Sequence, residues 1–160
     1  MKFISLIVLF FTCSEAFTQG FSEDIETTVL EKNITDSVYV FGKWNKDEGT
    51  ETHLNYLGEI KTSQGNYKIM TSIWYWGQSK RATSRILVFN DENKYLGNYY
   101  LKLTTYIPNI IENNELVFFN KDVSCDSAIQ TRLSFSEGIP EYFFRECTKG
   151  HGDLCYFDKE

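Results

Sequence analysis

From Ser37 to Phe157 apolar and polar side chains alternate with a period of two. That is the spacing of strands with one face buried. The clearest run is Tyr67–Trp76. Tyr67, Ile69, Thr71, Ile73 and Tyr75 share one face, and Met70, Trp74 and Trp76 share the other. Val38, Val40 and Phe41 begin an earlier strand that ends near Gly42-Lys43-Trp44. His53–Lys61 reads as a second strand, turned by Ser63-Gln64-Gly65-Asn66. Arg85–Phe89 is apolar on both faces, as in a central strand. The polar turn Asp91-Glu92-Asn93-Lys94 leads into Tyr95–Thr105. Ile110–Asn114 reads as loop and Leu116–Phe119 as a short buried strand. Ile129, Thr131, Leu133 and Phe135 then alternate with Gln130, Arg132 and Ser134. Ser136-Glu137-Gly138 turns that strand into Glu141–Cys147, and Lys149-Gly150-His151-Gly152 turns the latter into Leu154–Phe157.

About nine short strands, joined by short turns with no helix between them, predict an all-β, antiparallel meander. It is expected to curl into a barrel or to pack as two sheets. A short helix precedes it, with Ser22 as its cap and Ile25 and Val29 on one face at i and i+4.

The first twenty residues follow a different pattern. Lys2 is followed by the apolar run Phe3–Phe11, then by polar and small residues to Gly20. That order is a secretory leader, and the run is shorter than the roughly 20 apolar residues that span a bilayer. Small side chains suit cleavage after Ala16 or after Thr18. The second is preferred, giving a leader over 1–18 and a single antiparallel β domain over 19–160. The expected location is secreted or periplasmic, with no transmembrane segment in the mature chain. In a competing reading Cys13 is lipidated and anchors the protein in the cell envelope, although Phe10 and Phe11 depart from the usual lipidation pattern.

Charge narrows the partners. The net charge is −6, and no basic cluster exceeds Lys80-Arg81. Nucleic acid, whose binding needs a cationic footprint, is excluded as a partner. Loss of the leader removes Cys13 and leaves Cys125, Cys147 and Cys155. In an oxidising compartment two of the three are expected to pair. A hairpin centred on Glu137 and Gly138 brings Cys125 near Cys147 at its open end, and this pair is preferred because it closes the longer loop. Cys147 with Cys155 is the alternative. No ligand spacing for a metal and no phosphate-cradling glycine loop occurs, so neither a metal nor a cofactor is expected.

Aromatic residues make up 16% of the chain, and they concentrate in Ile73-Trp74-Tyr75-Trp76-Gly77. Trp74 and Trp76, with Met70 on the same strand face and Arg81 and Arg85 just across the next turn, form the candidate binding site. Flat rings take apolar ligands, and guanidinium groups stack on rings or meet anions. The chemistry of catalysis is sparse by comparison. His53 and His151 are the only histidines; Asp153 lies two residues from His151, and no Gly-x-Ser-x-Gly elbow exists. Asp47, Glu48 and Glu51, like Asp91 and Glu92, read as solvated acidic loops.

Gly42-Lys43-Trp44 resembles the Gly-x-Trp signature of the lipocalins, which implies a Trp closing one end of a barrel. The resemblance covers three residues, neither the Thr-Asp-Tyr element nor a C-terminal helix follows, and no family is assigned on it. The sequence therefore predicts a non-enzymatic exported domain that binds a protein partner or a small apolar ligand. The alternative is a secreted hydrolase using His53 or His151 with nearby carboxylates.

Overall fold

The structure is a computed structural model, and it describes residues 23–160. The leader, both cleavage sites, Cys13 and the Ser22 cap lie outside the described residues. One helix, α1 (Glu23–Lys32), precedes ten strands: β1 (Val38–Gly42), β2 (Glu51–Thr62), β3 (Gly65–Trp76), β4 (Arg81–Asn90), β5 (Tyr95–Leu101), β6 (Ile110–Glu112), β7 (Glu115–Phe119), β8 (Gln130–Ser134), β9 (Tyr142–Thr148) and β10 (His151–Lys159). A 3₁₀ turn covers Thr104–Tyr106.

Seven strands form one antiparallel sheet in the order β1-β2-β3-β4-β5-β10-β9, and β6-β7-β8 form a second. The barrel expectation is overturned: β1 and β9 remain separate edges, and the sheet does not close. Trp44 accordingly plugs nothing; it lies in the β1–β2 connection, where its indole N–H donates to the Gly77 carbonyl at 2.9 Å. The meander holds for β1 to β5. It fails at β10, which inserts between β5 and β9.

The two sheets pack face to face around the main core. Ile60, Ile69, Ile86, Val88, Tyr99, Phe143 and Cys155 of the large sheet meet Leu116, Phe118 and Leu133 of the small one. Among the described residues, the opposite face of the large sheet is covered only on its β1–β4 side. There Val29 and Leu30 of α1 close over Leu54, Tyr56, Met70, Leu87 and Phe89.

One strand serves both cores because it changes face. Pairing of β2 with β3 slips between Tyr56 and Gly58. The extra residue puts Leu54 and Tyr56 under the helix but Ile60 in the inter-sheet core. Gly58 takes a φ of +125° at this bulge, a conformation that L side chains disfavour.

Two local expectations fail for identifiable reasons. Ile110–Glu112 was expected to be loop, but Asn113 and Asn114 both take positive φ (51° and 65°) and close a tight hairpin with β7. The Asn114 side chain then clips this turn to β2: its Oδ1 accepts from Lys61 N–H at 2.8 Å, and its Nδ2 donates to the Lys61 carbonyl. The hairpin centred on Glu137 and Gly138 does not exist either. β8 pairs with β7, β9 pairs with β10, and the chain crosses between layers there, with Phe135 fully buried on the way. The Tyr99 hydroxyl donates to the Pro140 carbonyl and ties this crossing to β5.

Cys125 and Cys147 are nevertheless joined by a disulfide, which fastens the loop after β7 to β9. Cys155 is free and buried. Among the described residues no helix is long and apolar enough to cross a membrane.

Candidate functional site

Cross-strand register fixes what shares the helix-side face of the large sheet. Trp76 is opposite Arg81, Trp74 opposite Thr83, and Ser72 opposite Arg85. Arg85 is opposite Tyr100 in turn. On the far side of β5, Phe157 faces Tyr99, and continuing that register sets Tyr156 beside Tyr100. Tyr156 is opposite Tyr142, and Leu154 opposite Phe144. One row across the sheet therefore reads Arg85, Tyr100, Tyr156, Tyr142, with Leu154 and Phe144 in the row beside it.

Helix α1 stops short of these rows, so they face solvent. Tyr100 is 56% exposed, Tyr142 58%, Phe144 45%, Leu154 47% and Tyr156 63%. The Tyr142 and Tyr156 rings lie 6.0 Å apart. At the β3 end Trp74 is 40% exposed and stacks on Trp76 at 5.7 Å, with 23° between planes. Trp76 is half-buried; its indole N–H donates to Thr83 Oγ1 at 3.2 Å, and Arg81 lies over its ring at 5.4 Å.

Of the residues singled out by sequence, Trp74, Trp76, Arg81 and Arg85 thus gather at one end of an open aromatic face. Met70 shares their side of β3 but lies wholly beneath α1. The rings of β5, β9 and β10 were missed. Leu154-Cys155-Tyr156-Phe157 is apolar on both faces, so its pattern alone reads as a covered central strand. Only the extent of α1 leaves one side bare.

The histidines are placed apart from this face. His53 Nε2 is 2.7 Å from Glu51 Oε1, and its ring meets the edge of Tyr75 at 5.2 Å. The bond to His53, aided by Trp44 N–H, holds the Glu51 carboxyl below its ordinary value. No hydroxyl among the described residues bonds to the His53 ring. His151 is exposed at the start of β10, and Asp153 is 3.6 Å from Lys102 Nζ rather than bonded to His151. No group of three His, Cys, Asp or Glu among the described residues has metal-site geometry. A shallow depression of about 320 Å³ lies over the crossing, lined by Ser134, Ser136, Glu137, Gly138, Ile139 and Pro140.

Comparison with known families, with curated proteins and with solved structures finds no match.

Proposed function

We propose that this chain is an exported, non-enzymatic domain that captures a protein partner on the uncovered aromatic face of its large sheet. The observation that carries this reading is the set of exposed rings and aliphatic groups on β5, β10 and β9, continuous through Arg85 with Trp74. Monomeric proteins rarely leave such a contiguous apolar patch open unless it is used. Tyr, Trp and Arg are the residue types that anchor protein interfaces. The depression at the layer crossing is not lined by these rings, whereas a carrier of small apolar ligands needs a concave and mostly enclosed pocket. A protein partner is therefore favoured over a small ligand. Export is supported by the leader pattern and by the disulfide, a bond characteristic of oxidising compartments.

The test compares the mature wild-type protein, immobilised against the envelope fraction of its own organism, with the double variant Phe144→Ser, Tyr156→Ser. Both side chains are exposed enough that the variant should unfold at nearly the same temperature as wild type. A partner retained by wild type should fall at least tenfold on the variant, and should shield Trp74 from acrylamide. Equal retention by both proteins overturns the reading.

A further inference from the structure

Arg145 is the largest fully buried side chain, at 1% exposure. It points from β9 toward the inter-sheet side, opposite Asp153 in the β10 register. Its Nε, Nη1 and Nη2 have no hydrogen-bond partner among the described residues. A guanidinium carries five N–H donors and is the most demanding of side chains to bury.

The groups around it do not answer that demand. One face of the guanidinium lies on the Tyr106 ring, 3.7 Å from its centre. This supplies cation–π attraction but no acceptor in the guanidinium plane. Asp122 acts on Arg145 through space. Its oxygens are taken by Ser124 N–H at 2.9 Å, Ser124 Oγ at 2.6 Å and Thr105 Oγ1 at 3.4 Å. Asp153 acts on Arg145 through space ahead of Asp122, and its Oδ1 is 3.6 Å from Lys102 Nζ. The Tyr106 hydroxyl sits 3.9 Å from Cys125 Sγ, and the disulfide partner Cys147 is two residues beyond Arg145. Arg145 is thus enclosed by β9, the 3₁₀ turn and the mostly exposed loop 121–129, with its in-plane donors unused.

We propose that Arg145 anchors a binding site for a carboxylate. With one face occupied by Tyr106 and the side chain only 1% exposed, a planar acceptor meets the guanidinium edge-on once loop 121–129 shifts to admit it. A carboxylate supplies two oxygens in the matching fork geometry. Loop 121–129 is the side from which such a group reaches it. The carboxylate belongs either to a small organic acid or to the C-terminus of a peptide.

The site reading and a purely architectural reading predict opposite stabilities. If Arg145 only held the fold together, its removal would destabilise. If it is kept for a ligand, an apolar residue of similar length relieves an unpaired buried charge. Thermal unfolding of the mature protein at pH 7 and fixed ionic strength decides between them. In chloride, Arg145→Met is expected to unfold at or above the wild-type temperature. Replacing chloride by acetate should raise the wild-type midpoint by about 3 °C or more and leave Arg145→Met unmoved. N-acetylalanine and N-acetylalanine amide separate the sources. A response to acetate identifies a small acid; a response to N-acetylalanine but to neither acetate nor the amide identifies a peptide terminus. Should Arg145→Met fail to fold, the wild-type Nε–H resonance of Arg145 is followed by NMR during both titrations, and it should shift saturably. A midpoint and resonance that no carboxylate moves, or an equal response in wild type and variant, overturns the proposal.

Discussion

The sharpest expectations concern single buried groups. Cys155 is 5% exposed, and burial pushes its thiol up to about 11. Burial likewise pushes Tyr56 up to about 12. A group whose folded value is raised favours folding fully below its ordinary value and loses that contribution as pH climbs through the raised one. The protein should hold its stability up to about pH 9 and lose it progressively between about 9 and 12. Thermal midpoints across that range check this, and Cys155→Ala should decline less steeply than wild type. A neutral, enclosed thiol is also a poor nucleophile. Ellman's reagent should find no thiol in the native mature protein and one after unfolding in denaturant. At the acidic end the sign reverses. Hydrogen bonds from Ser124 hold Asp122 low, so its contribution is present at neutral pH and fades as pH falls below the ordinary carboxylate range. The cysteine pairing and the ring cluster at Trp74 were legible in the sequence. Arg145 was not: in Tyr142-Phe143-Phe144-Arg145 the cation occupies the buried parity and two rings the exposed one, the reverse of what polarity suggests.

Elements were recovered better than their pairings. β3 and the turn before β5 fall almost where alternation puts them, because both flanks carry a clear period and strong turn residues. β2 was harder, since one bulge residue moves every later side chain to the other face. Deleting Leu57 should remove the bulge, keep Ile60 opposite Tyr67 in the inter-sheet core and leave the protein folded by circular dichroism. β10 depends on Gly97 in a similarly local way. Gly97 has a φ of +144°, and a Cβ there would stand 2.3 Å from the Asp158 carbonyl oxygen and 2.6 Å from the Phe157 ring. Gly97→Ala should therefore cost more than about 2 kcal/mol in a denaturant titration, by prising β5 from β10. The missed β6 had a sequence cue in Asn113-Asn114, a pair tolerant of left-handed backbone, but three residues are too few to show a period.

For the whole molecule, the two layers are joined by the core and by one covalent tie. Cys125 and Cys147 are 22 residues apart. Reduction should lower stability by about 3 kcal/mol on the chain-entropy account, and the midpoint by about 10 °C. Layer assignment was the part least visible from the sequence. Strands β8 and β9 look like a hairpin because a turn separates them; they lie in different sheets because β9 finds its partner in β10, and Phe135 buries itself during the crossing. The interior position of β10 has a kinetic consequence. During synthesis β5 is complete about fifty residues before His151 emerges, and throughout that interval its outer edge offers unsatisfied amides and carbonyls. The large sheet cannot be finished from the N-terminus forward. Such a polypeptide stays open late, with an unpaired strand edge exposed until its last strand arrives.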